Sequence, residues 1–268
     1  MPAIQIARLQ AQMAQLMDLY RQPALFVRSL HDLLDAYTDH TYRPGQAVKA
    51  QPLLPHYRVP LPFIRQVEIE LAVLCRQDAQ AGLALADALW ADAYFEPRLL
   101  AIYLLSLAPV SPPEPVLQRI SAWAQPEEDR QVLRALISRG TARLLREQTD
   151  CWSELVKNWL ASAQLPVQAM GLHALLAIIE DEDFQNLPVI YHLISPTHHR
   201  LPARLQADLL AVLQALARRS PAETAFFLRQ ILTLSSDPLI PRLVRRCLPF
   251  FSPEMQDGLR PVLKSRSE

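Results

Sequence analysis

The stretch PARLQADLLAVLQALARRSPAETAFFLRQILTLSSDPLIPRLVRRCLPFFSPEMQDGLRPV, residues 202–262, carries the pattern that decides the fold. Its apolar runs are separated by the pairs Ser220-Pro221, Asp237-Pro238 and Ser252-Pro253. Proline has a fixed φ and no N–H, so it fits the first turn of a helix and interrupts a helix elsewhere. The pairs therefore mark helix starts, and the stretch reads as helices over Pro202 to Ala217, Pro221 to Thr233, Pro238 to Leu248 and Pro253 to Val262.

The same punctuation extends through most of the 268 residues, which contain 23 prolines and only 5 glycines. Upstream, helical spacing recurs over Phe63 to Cys75, Ala79 to Trp90, Pro97 to Leu107, Glu114 to Ala124, Glu127 to Ser138 and Thr141 to Glu147. It continues over Cys151 to Ser162, Pro166 to Ile179 and Leu187 to Ile194. No sustained strand pattern interrupts it. Helices with one apolar stripe each cannot hold a core alone, and stacking them as antiparallel pairs buries those stripes. The expected fold is all-α, an α-solenoid of helix pairs, with a generic helical bundle as the alternative.

A single domain over 1–268 is expected, with three sections. Residues 1–38 hold two opening helices, the first with Ile6, Leu9, Met13 and Leu16 on one face. Residues 39–62 form an irregular connection, because Pro44, Pro52, Pro55, Pro60 and Pro62 break any helix there. Residues 63–263 are the repeat core.

Half of the residues are apolar, enough for a continuous core. No apolar run approaches a membrane span, and no basic segment leads into a hydrophobic one at the start. A cytoplasmic monomer that does not enter membranes is the expectation. Cys75, Cys151 and Cys247 are widely spaced and read as reduced thiols. The charges balance, 27 basic against 27 acidic, but residues 184–268 hold 11 lysines and arginines against 6 aspartates and glutamates. A basic C-terminal face of this kind can meet phosphate, whereas the acidic remainder opposes attachment to polyanions over the whole surface.

Residues 89–101, LWADAYFEPRLLA, resemble a segment of the bacterial DNA alkylation repair family of HEAT-like glycosylases. Residues 57–65, YRVPLPFIR, resemble the segment that enters that family's repeat core, with Arg58 where glycine is common. The resemblance spans residues 57 to about 180 and implies a right-handed superhelix of HEAT-like antiparallel helix pairs whose concave surface holds duplex DNA. It also implies excision of N3- or N7-alkylated purines by a helix carrying a tryptophan and, four positions later, an aspartate. On this chain that pair falls on Arg130 and Arg134. Neither can supply a carboxylate, and both add positive charge beside a developing cation. Where the family commonly places an arginine in the next repeat, this chain has Gln168 or Ala169, so a charged phosphate clamp is missing. Standard excision is therefore not expected.

Several residues are candidates for DNA contact. Arg130, Arg134, Arg139 and Arg143 share near-helical spacings, with Arg146 broadening the patch. Trp123 and Trp152 could stack on bases or sugar, and Gln168 could donate a hydrogen bond. Arg218 and Arg219, with Arg242, Arg245 and Arg246, form a second candidate patch. Each has a structural alternative as a solvated charge or a core ring. Trp90 and Trp159 read as packing residues, and Glu96 as a helix-start acceptor for free backbone amides. The run Glu180 to Asp183 could bind a cation only if folded back onto other oxygen ligands. His198-His199 has no partners at metal-ligand spacing. No metal, nucleotide or other cofactor motif occurs, so no cofactor is expected. Three readings stay open: a HEAT-like DNA-recognising protein without standard glycosylase chemistry, a divergent glycosylase using Asp129 or Glu128, and a scaffold for a protein or peptide partner.

Overall fold

A computed structural model of the chain describes residues 6–38, 52–195, 202–234, 237 and 239–265. Among these residues there are fifteen α-helices and no β-strand. The helices group into two compact units, Met1–Gln148 and Thr149–Glu268. His198-His199 and the first part of the proline-rich connection, 39–51, lie outside the described residues, whereas 52–60 runs without helix. No helix among the described residues is long and apolar enough to cross a membrane.

The first unit contains α1 (Ile6–Asp18), α2 (Pro23–Ala36), α3 (Leu61–Gln77), α4 (Ala79–Trp90), α5 (Phe95–Leu107), α6 (Glu114–Trp123), α7 (Arg130–Ala135) and α8 (Ala142–Glu147), with a π-helical turn at Leu136–Gly140. Its centre is α5, which packs against α3, α4, α7 and the π turn. Leu100, Ala101, Ile102, Leu104 and Leu105 of α5 are all buried. These residues point around most of the helix, as expected of one with neighbours on every side. Each large aliphatic side chain so buried contributes about 1.5–3 kcal/mol. Short links keep neighbouring helices antiparallel. Asp78 accepts the Ala81 N–H (3.0 Å) to start α4 one residue after α3 ends. Arg119 of α6 grips both carboxylate oxygens of Asp87 on α4, at 2.8 and 2.6 Å.

The second unit contains α9 (Thr149–Leu160), α10 (Leu165–Ile179), α11 (Leu187–Ile194), α12 (Gln206–Arg219), α13 (Pro221–Leu234), α14 (Leu239–Cys247) and α15 (Pro253–Ser265). Here α10 has the central place, between α9 and α12, with Met170, Leu172, Leu175, Ile178 and Ile179 buried. Gly171 lets α9 approach closely: a Cβ there would lie 2.8 Å from Leu160 Cγ and 3.2 Å from its backbone nitrogen. Both units are stacks of helix pairs of the HEAT-like kind expected from the proline-punctuated sequence.

One expected helix is corrected. The pattern over Glu127 to Ser138 becomes α7 from Arg130 and then the π turn from Leu136. Asp129 is extended and caps α7, accepting the N–H groups of Gln131 (2.8 Å) and Val132 (3.2 Å), so the helix cannot begin before it. All three cysteines are free, as read from their spacing. Burial pushes the Cys247 thiol up to about 12 and raises that of Cys75, so neither is a ready thiolate.

Candidate nucleic-acid interface

A strap formed by residues 52–60 organises one edge of the first unit. Its Leu53 N–H donates to Asp129 Oδ2 (2.6 Å), and its Pro55 carbonyl accepts from Phe95 N–H (2.9 Å). Its Tyr57 and Arg58 N–H groups donate to Glu96 Oε1, at 2.9 and 3.1 Å. Glu96 therefore receives amides of the strap and not those of its own helix start, which corrects the sequence expectation. The Tyr57 and Arg58 amides of the strap lie outside any sheet or helix ladder, and the buried Glu96 carboxylate is the acceptor that α5 offers them. Arg58 sits at φ 57°, the left-handed region that glycine adopts freely. Arg58→Gly is expected to raise stability by about 0.5 kcal/mol, the relief of left-handed strain being partly offset by the greater freedom of the unfolded chain. Urea unfolding of the two proteins measures it.

Next to the strap lies a cluster that spacing in the sequence did not bring together. His31 of α2 meets Tyr57 Oη through Nδ1 (2.6 Å) and Asp92 Oδ2 through Nε2 (2.7 Å). Tyr94 stacks on Tyr57 at 4.7 Å and meets the His31 ring edge-on at 5.1 Å. Burial, then the neighbouring Tyr94, Asp35 and Asp92, push the Tyr57 phenol up to about 12. Tyr57 therefore serves as a neutral hydrogen-bonding post that ties α2, the strap and the α4–α5 link. Its hydroxyl partner His31 is 26 residues away on α2 and its stacking partner Tyr94 lies in the α4–α5 link, so no local motif announces it.

The two acids nearest the α7 arginines are fully engaged. Asp129, 5% exposed, uses one oxygen for the cap and the other for Leu53. Glu128 pairs with Arg98 through Oε2 and accepts the Asp129 N–H through Oε1 (2.9 Å). Arg98 also donates to the Asp92 carbonyl (2.8 Å) and lies 5.3 Å from the centre of the Trp90 ring. Both carboxylates are built into the start of α7.

The four arginines of the first patch separate. Arg130 and Arg134 are exposed, one turn apart on α7, and their guanidiniums have no hydrogen bond or ion pair among the described residues. Arg139, on the π turn, reaches Glu68 of α3 (2.6 Å) and covers the ring of Tyr103 on α5 at 4.3 Å. Burial and then Glu68 raise the Tyr103 phenol, while the positive charges of Arg139 and Arg76 oppose that rise. Arg143 turns to the end of α5, donating to the Leu107 (2.6 Å) and Ala108 (3.1 Å) carbonyls and to Glu147 (2.8 Å). A single Arg130–Arg143 face is thus corrected: the π turn shifts the helical phase, and the open carbonyls ending α5 claim Arg143. Arg146 is exposed.

The aromatic candidates lie inside. Trp123 is 6% exposed and stacks on half-buried Trp90 at 4.5 Å. Trp152 is fully buried, so its ring offers no face to a base, and Trp159 is buried beside the same core. An apolar stripe at the start of α9 claims Trp152, which a sequence reading could equally leave exposed. Gln168 donates to the Leu160 carbonyl (3.4 Å), and its Oε1 is buried without a protein partner.

In the second unit Arg219 is a carbonyl clamp. It donates to the carbonyls of Ile178 (3.2 Å), Ile179 (2.7 Å), Asp181 (2.6 Å), Glu182 (3.3 Å) and Phe184, gathering the open end of α10. The Asp181 and Glu182 carbonyls of the acidic run, read as a conditional cation site, thus face a guanidinium, and the four acidic side chains are exposed. Arg218 is exposed above the Phe250 ring at 5.3 Å. Ile240, Leu243, Val244 and Cys247 bury one side of α14, leaving Arg242, Arg245 and Arg246 on the outer side. No group of three or more potential metal ligands occurs among the described residues.

No curated protein and no solved structure matches the chain significantly. The model of the family described as DNA alkylation repair enzyme matches residues 55–246, from the strap to the basic face of α14. Most of the chain is covered, and the protein therefore belongs to the DNA alkylation repair enzyme family.

Proposed function

We propose that this protein binds duplex DNA through the outer side of α7, with Arg130 and Arg134 holding phosphate, and that it does so without the standard excision chemistry of its family. The observation that carries this reading is the pair itself: two exposed guanidiniums one turn apart, unpaired among the described residues, standing where the family resemblance puts a tryptophan and an aspartate. Cationic side chains there favour a phosphate and disfavour the positively charged sugar that excision must stabilise. Asp129 and Glu128 cannot replace the missing aspartate without releasing the α7 cap, the strap or Arg98. Arg218, Arg242, Arg245 and Arg246 supply a further basic surface on the second unit.

The test is fluorescence anisotropy of a labelled duplex across a salt series. Binding is expected to weaken steeply with salt, and Arg130→Gln with Arg134→Gln is expected to lower the slope of log K against log salt by about 2. An unchanged slope in the double variant would refute the assignment.

A further inference from the structure

The longest helix, α3, uses only part of its circumference inside the first unit. Phe63, Ile64, Val67, Leu71 and Cys75 turn inward. On the outer side Leu61, Ile69 and Val73 are 60%, 58% and 41% exposed. Leu61, Arg65, Ile69 and Val73 follow one another at four-residue steps, so they form a single ridge, the feature by which one helix seats in the grooves of another. Single exposed aliphatic residues need no explanation, but three large ones on one ridge form a patch.

The ridge is also basic. Arg65, within it, and Arg76, beside it, are exposed, and their guanidiniums make no hydrogen bond or ion pair among the described residues. The helix has two carboxylates, and both are occupied: Glu68 holds Arg139 (2.6 Å), and Glu70 accepts from Gln66 (2.9 Å). Among the described residues the ridge has no apolar cover, and neither Arg65 nor Arg76 has a carboxylate partner. A phosphate backbone supplies the charge but leaves the aliphatic side chains wet, and these side chains give bases no aromatic face to stack on. An amphipathic helix with acidic flanks supplies both.

We propose that α3 docks an acidic amphipathic helix of a protein partner, whose apolar stripe covers Leu61, Ile69 and Val73 and whose carboxylates pair with Arg65 and Arg76. This inference does not rest on the DNA reading of α7. The full chain is titrated against a fluorescein-labelled helical peptide with leucines at i, i+4, i+7 and i+11 between glutamates, and against the same peptide with lysine for glutamate. Saturable binding of the acidic peptide is expected, weakened about tenfold or more by Ile69→Glu with Val73→Glu and by the lysine exchange, and unaltered by Arg130→Gln with Arg134→Gln. The altered positions are exposed, and circular dichroism verifies that the variants fold. Absence of saturable binding, equal binding of the lysine peptide, or indifference to the α3 changes would overturn the proposal. So would an equal loss of duplex binding in Ile69→Glu with Val73→Glu, which would assign the ridge to nucleic acid.

Discussion

Trp152→Ala is expected to lower stability by about 3–5 kcal/mol, the largest effect of any single change considered for this chain. Trp152 is completely buried at the start of α9, and a truncated ring leaves a cavity that Leu155, Val156 and α10 can fill only partly. Trp152→Phe separates packing from recognition. The indole N–H has no protein partner, so its removal relieves an unmet donor while most of the volume is kept. That variant should stay within about 1.5 kcal/mol of the parent and bind a duplex with the same affinity. Calorimetric unfolding and anisotropy measure the two properties. A strong loss of DNA affinity in a stably folded Trp152→Phe would restore this residue as a contact and contradict its burial.

Asp129 is expected to have the next largest effect, and its variants are graded. Alanine removes the α7 cap and the acceptor for Leu53 together, leaving three amides unmet, at a loss of about 2–4 kcal/mol. Asparagine still caps a helix well through its carbonyl oxygen, but it turns an amide N–H toward the Leu53 N–H. The loss with asparagine should be about 1–2 kcal/mol, confined to the strap contact. Urea unfolding gives the totals, and hydrogen exchange at Leu53 shows whether the strap alone has loosened. The same two variants bear on chemistry: equal loss of a purine-releasing activity in both, with Asp129→Asn still folded, would mark Asp129 as a working carboxylate.

The helices were legible because their causes are local. Prolines at the starts of α2, α13 and α15, and at the second positions of α3, α6, α10 and α11, act within one turn. The apolar spacing that buries α5 and α10 likewise repeats every few residues. Arg130 and Arg134 were also legible as neighbours, since four residues on a helix place them one turn apart. The separation of Arg139 and Arg143 from them was not. It depends on a π turn fitted against α5 and on carbonyls of Leu107 and Ala108 more than thirty residues away.

The amino-acid order alone therefore determined an all-α chain of paired helices, their approximate limits, and a family resemblance whose tryptophan and aspartate positions carry arginine. Only the tertiary structure decided which polar groups are free to act. Glu96, Asp129, Arg143 and Arg219 are all engaged by backbone groups that the sequence leaves unspecified, because open helix ends and the strap require partners once water is excluded. Burial similarly claimed Trp123 and Trp152, whereas Arg130, Arg134 and the outer ridge of α3 remain uncovered. Helix formation is set by residues within reach of one turn. The availability of a side chain is set by whatever the packed chain brings against it.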